Sequence, residues 1–85
     1  MSGELPALTG EQFIRLLLLD GWQERGRSRH GIALGKLVAG TYRVAVVPTK
    51  PGSMHTNTLH RLLSVKQTGL GRSRLLRLIE RHGLS

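Results

Sequence analysis

An 85-residue chain has room for one small domain, and with 39% hydrophobic residues but only one Phe, one Trp and one Tyr its core must be mainly aliphatic. Thirteen Lys and Arg face five Asp and Glu for a net charge of +8, and ten of the thirteen are Arg, whose planar fork of donors suits phosphate oxygens. Such a balance is the electrostatic footprint of a nucleic-acid binder, with an acidic protein or an anionic membrane as the other partners it fits. The lack of cysteine excludes disulfides, thiolate metal sites and Cys nucleophiles.

Residues 1–8, small, acidic at Glu4 and broken by Pro6, read as a loose tail ahead of a single domain over 9–85. They lack the basic and apolar regions of a signal peptide, and the longest strongly apolar stretch, Leu16 to Leu19, is far too short for a bilayer. The expectation is a cytoplasmic chain with no membrane partner.

Thr9-Gly10-Glu11-Gln12 fits a capping box, so a helix starts there, with Phe13, Leu16 and Leu17 as its inward stripe and Asp20-Gly21 as its stop. Residues 22–25 read as a short strand and 26–29 as a basic turn. A second strand is expected over 30–37, and Ala39-Gly40 is a tight turn. Residues 41–47, rich in β-branched side chains and stopped by Pro48, make the best strand; both its faces are apolar apart from Arg43, which predicts a central or covered position. After a loop over 48–55, Asn57 caps a short helix holding Leu59, Leu62 and Leu63. A Gly-containing connector over 66–71 leads to a helix capped by Ser73, with Leu75, Leu78 and Ile79 on one face and Gly83 past its end. The order α-β-β-β-α-α predicts an α+β fold, a three-stranded antiparallel sheet with helices on one face.

Several pieces then fall into a familiar order. Leu8-Thr9-Gly10 opens the first helix, Gly21-Trp22 follows it, the basic Arg27-Ser28-Arg29 leads into His30, a strand ends at Val47-Pro48, and Thr58-Leu59 lies at the start of the next helix. Over about 8–84 the sequence resembles the HicA mRNA interferases, the toxin half of HicA–HicB toxin–antitoxin pairs, in a variant form. The resemblance implies a fold similar to a double-stranded-RNA-binding domain, mRNA as substrate, a HicB-like antitoxin protein as partner, and His30 as the catalytic residue. The family's usual Gly-Ser-His motif is replaced by Ser28-Arg29-His30-Gly31, so the match includes a one-residue shift within the turn.

The chemistry agrees with that implication. Metal-free RNA cleavage needs a base for the 2′-hydroxyl proton, an acid for the leaving 5′-oxygen and cations on the phosphate. Histidine serves either proton role near neutral pH. Arg25, Arg27, Ser28 and Arg29 are the candidate phosphate contacts around His30, and Lys66 and Arg72 bracket a segment whose Gly69 and Gly71 suit a phosphate-binding nest or a plain connector. Arg74, Arg77 and Arg81 form a basic stripe on the last helix that fits RNA, an acidic partner or simply solvent. His55 and His60 stand five apart, which misses the helical spacing of metal ligands, so neither a metal nor another cofactor is expected. A spacing-only reading leaves His30 as an ordinary residue of a solvated turn. Two other functions fit the charge: a non-catalytic RNA-binding module, and a basic adaptor for an acidic protein.

Overall fold

The computed structural model describes residues 5–84. The expected α+β architecture is present: helix α1 (Gly10–Leu19), strands β1 (Gln23–Ser28), β2 (Gly31–Val38) and β3 (Thr41–Val47), then helices α2 (Thr56–Leu63) and α3 (Gly71–His82). The strands form one antiparallel sheet in the order β1-β2-β3.

Helix α1 begins as its sequence dictates. The Thr9 backbone N–H donates to Gln12 Oε1 and the Gln12 N–H donates to Thr9 Oγ1, each at 3.0 Å. It stops at Asp20 because Gly21 takes φ +99°. Its buried stripe, Phe13, Ile14, Leu16 and Leu17, packs with Ile32 and Leu34 of β2, Ala45 and Val47 of β3, Leu59, Leu62 and Leu63 of α2 and Leu75 and Leu78 of α3. Each of these side chains larger than Ala45 contributes about 1.5–3 kcal/mol by leaving water. Leu8 is wholly buried, its carbonyl accepts the Met54 N–H at 2.6 Å, and Leu5 packs against the core. Residues 5–8 are therefore tied to the domain, because they close its apolar edge; the rest of the expected tail, 1–4, lies outside the described residues.

Three local expectations change. Strand β1 extends to Ser28, since a bulge at Arg25, between the Glu24–Leu34 and Gly26–Ala33 pairs, absorbs one residue and keeps the ladder going; the expected basic turn over 26–29 shrinks to Arg29 and His30. Strand β3 is an edge strand, not a central one. The helices cover only the face bearing Ala45 and Val47, leaving Val44 and Val46 about half exposed, at 47% and 48%. The helix caps also move. The His55 imidazole Nδ1, not Asn57, caps α2 by accepting the Asn57 N–H at 3.3 Å, and α3 starts before Ser73 with no side-chain cap. Gly83, at φ +78°, ends α3 as expected.

The two sheet faces differ. On the helix face, Lys36 reaches under α1 and donates to the Asp20 carbonyl at 2.5 Å and its carboxylate at 3.4 Å, and Arg43 donates to the Val65 carbonyl. On the open face Tyr42 lies across Gly35, where a methyl would stand only 2.7 Å from its Cζ, and Arg25 stacks 5.7 Å from its ring centroid. The missing side chain at Gly35 thus lets an edge-strand ring cross the central strand.

Candidate nucleic-acid interface

His30 sits in the two-residue turn between β1 and β2, exposed at one end of the sheet. Its backbone N–H donates to Ser28 Oγ at 3.2 Å, so the serine hydroxyl braces the turn from within. Gly31 supports the same corner. It has φ +149°, and a methyl there would stand 2.8 Å from the Val47 carbonyl carbon, so only glycine lets the turn pack against the end of β3. Among the described residues no side chain holds the His30 imidazole, which leaves both ring nitrogens to solvent or ligand.

The cations near the turn have different tasks. Arg27 projects on the helix side, opposite Ile32, and its guanidinium meets the Glu24 carboxylate through two bonds of 3.3 Å. The bulge makes that pair: it brings two residues three apart in sequence onto one face of a strand. Arg29 is exposed beside His30. Arg25 turns to the other face over Tyr42, so the structure separates it from Arg27.

Lys66 and Arg72 are not brought to the turn. Their connector lies over Arg43, whose rung with Lys36 stands four rungs from the Ile32–Val47 rung beside His30. At the usual rise per residue that is about 13 Å. The amides of residues 67–70 are also committed internally. The N–H groups of Gln67 and Gly69 donate to the Ser64 carbonyl, that of Thr68 to the Leu62 carbonyl, and that of Leu70 to Thr68 Oγ1. The buried Thr68 hydroxyl adds a 2.6 Å bond to the Leu62 carbonyl. Of the two readings of this segment, these bonds favour the plain connector, since the amides of residues 67–70 hold the chain itself. On α3, Arg74 lies 4.0 Å from the Asp20 carboxylate, and Arg77 is exposed along the same flank as Arg81.

A cavity adjoins the His30 turn at Ser28. It is an open groove of about 550 Å³ between α1 and the β1–β2 hairpin. Ile14, Leu18 and Ile32 give it an apolar floor, and Glu11, Arg15, Arg27, Ser28 and Thr49 a polar rim. Arg27 and Ser28 were legible as candidates from the sequence. Glu11, Arg15 and Thr49 were not, although Glu11, Arg15 and Leu18 recur at i, i+4 and i+7 and so mark a second helix stripe beside the core stripe. His55 lines a separate cavity with Lys50, Ser53 and Met54, and His60 lies in the last turn of α2. Among the described residues no cluster of His, Cys, Asp or Glu is suited to hold a metal, and no helix is long and apolar enough to cross a membrane. Compared with protein-family models, with curated proteins and with solved structures, the chain matches none of them.

Proposed function

We propose that this chain is a metal-independent endoribonuclease of the HicA type, a cytoplasmic toxin that cleaves mRNA and is neutralised by an acidic HicB-like antitoxin covering the His30 turn. The observation that carries the reading is the turn itself: an exposed His30 whose backbone N–H is held by Ser28 Oγ, flanked by Arg27 and Arg29 on a chain of net charge +8. The α-β-β-β-α-α order supports it, because it agrees with the fold that the sequence resemblance implies.

In this mechanism the RNA backbone crosses the hairpin tip. Arg27 and Arg29 hold the non-bridging oxygens of the scissile phosphate, and Arg27 keeps its aim because Glu24 grips one side of the guanidinium. The His30 imidazole takes the proton of the 2′-hydroxyl as the oxygen attacks phosphorus. The P–O5′ bond breaks, leaving a 2′,3′-cyclic phosphate on one fragment and a 5′-hydroxyl, protonated from water, on the other. Two guanidinium groups offset the charge that gathers on the phosphoryl oxygens. Positioned proton transfer is worth about 10²–10⁴-fold in rate.

The test compares wild type with His30→Ala on a mixed-sequence RNA in EDTA, with circular dichroism verifying that both are folded. Cleavage to cyclic-phosphate ends by wild type, reduced by about 10²-fold or more in the variant, is the expected result. Equal cleavage by the two removes His30 from the chemistry. RNA binding without cleavage by either makes the chain a binding module.

A further inference from the structure

The α1–hairpin groove contains an apparent contradiction for an RNA-binding surface. Of its rim residues, Glu11 carries the sole carboxylate, and the phosphate backbone repels it. Its place in the first turn of α1 suits the helix N-terminus, but no described side chain of the fold takes up its carboxylate. The capping box is completed by Gln12, and among the described residues Glu11 makes no ion pair. The groove's two arginines are engaged elsewhere, Arg27 with Glu24 and Arg15 through Nη1 with the Gly83 carbonyl at 3.3 Å. Both arginines thus share the groove's lining with a carboxylate that neither of them pairs, beside an aliphatic floor.

We propose that this groove is a guanine subsite, which receives the base next to the scissile phosphate; the proposal rests on the ribonuclease reading above. Unpaired bases in RNA are bound by stacking and by hydrogen bonds to their exposed edges. Ile14, Leu18 and Ile32 offer an apolar bed for the ring face, and the volume of about 550 Å³ lies in the ordinary range for a small-ligand site. A carboxylate accepts two adjacent N–H groups at once, and guanine is the base that presents them, N1–H beside its N2 amino group. Adenine and cytosine place a ring acceptor next to their amino group, and uracil flanks its one N–H with two carbonyls, so each of them sets a lone pair against the Glu11 carboxylate. The guanine O6 and N7 acceptors suit the donors of Arg15 that Gly83 leaves open. Ser28 belongs both to the groove rim and to the His30 brace, which puts the subsite beside the reacting bond.

The experiment uses wild-type protein and 2′-O-methyl oligouridylates, which lack the attacking hydroxyl, carrying one central guanosine, inosine, adenosine or uridine, with affinity read by fluorescence anisotropy. The guanosine oligomer is expected to bind about 5- to 150-fold tighter than the adenosine one, the range for one bidentate base contact. Inosine, without the N2 amino group, falls between them. Glu11→Gln brings the guanosine-to-adenosine ratio close to one, with melting lowered only by the small amount that one first-turn carboxylate contributes, whereas a carboxylate that served only the helix terminus would change melting and leave the ratio alone. Equal affinity for all four oligomers overturns the subsite and leaves the ribonuclease reading standing. No binding of any oligomer at low salt overturns both. A guanosine preference that survives Glu11→Gln overturns the assignment to this groove, and guanosine monophosphate binding as tightly as the guanosine oligomer overturns the assignment to RNA.

Discussion

Gly10→Ala sets local propensity against tertiary packing, and the two give opposite signs. Gly10 is the first residue of α1, and by helix propensity alone alanine gains about 0.5–1 kcal/mol there. The structure leaves no room for it. An added methyl would overlap the Pro48 carbonyl oxygen, with the carbonyl carbon at 2.9 Å and Thr49 Cα at 3.5 Å. These are backbone atoms at the exit of β3, so no rotamer change relieves the overlap. The start of α1 must move away from β3, straining the Thr9–Ser53 bridge and the 2.6 Å bond from the Met54 N–H to the Leu8 carbonyl. Overpacking costs about 1–3 kcal/mol and a lost hydrogen bond about 1, leaving a net destabilisation of about 1–3.5 kcal/mol after the propensity gain. A domain of this size has about 4–13 kcal/mol in all, so the variant folds but melts roughly 4–28 °C lower. Thermal and urea unfolding followed by circular dichroism measure this, with an unchanged urea slope showing that stability alone moved. Gly40→Ala is the control, because nothing lies within 4 Å of a methyl there and only the positive φ of +83° is strained. A melting temperature for Gly10→Ala at or above wild type would refute the close packing of α1 on Pro48.

Leu34→Ala removes a wholly buried side chain from the central strand and is expected to cost about 2–5 kcal/mol in urea unfolding, a large share of the total. Thr68→Val preserves shape but removes the hydroxyl that donates to the Leu62 carbonyl and accepts the Leu70 N–H; the same assay should show a loss of about 1–3 kcal/mol, since that amide is left buried without a partner. RNA affinity should fall steeply with added salt, and Arg27→Ala should lower the slope of log affinity against log salt by about one, the signature of one lost phosphate contact, while Arg25→Ala, turned to the Tyr42 face, should leave it unchanged.

The parts of the fold legible in the sequence are those whose cause lies within a few residues. Thr9 and Gln12 satisfy each other's backbone groups across one turn, Gly83 ends α3 with its own φ, and the leucines of α1, α2 and α3 repeat at the helical period, so element order and most of the core follow from spacing alone. The fold class follows too, because an α-β-β-β-α-α order of short elements has few ways to bury its apolar faces. His30 stood out as a candidate through its basic neighbours and the family resemblance, and its chemistry remains the subject of the proposed test. Other features depended on partners far away in the chain. Strand β3 is apolar on both faces, and only the placement of the helices decides which face is covered. Whether residues 26–28 form a turn or a strand hinges on a bulge at Arg25, fixed by pairing with β2. Lys66 and Arg72 look from the sequence like part of a basic site, but the connector folds over Arg43, four rungs from the turn. The groove with Glu11 and Arg15 opposite Arg27 arises only when α1 packs beside the hairpin. Periodicity determines which elements form and which side of a helix is apolar; register, strand order and the meeting of side chains 16 positions apart, as in Lys36 and Asp20, are set by long-range closure, which no local window contains.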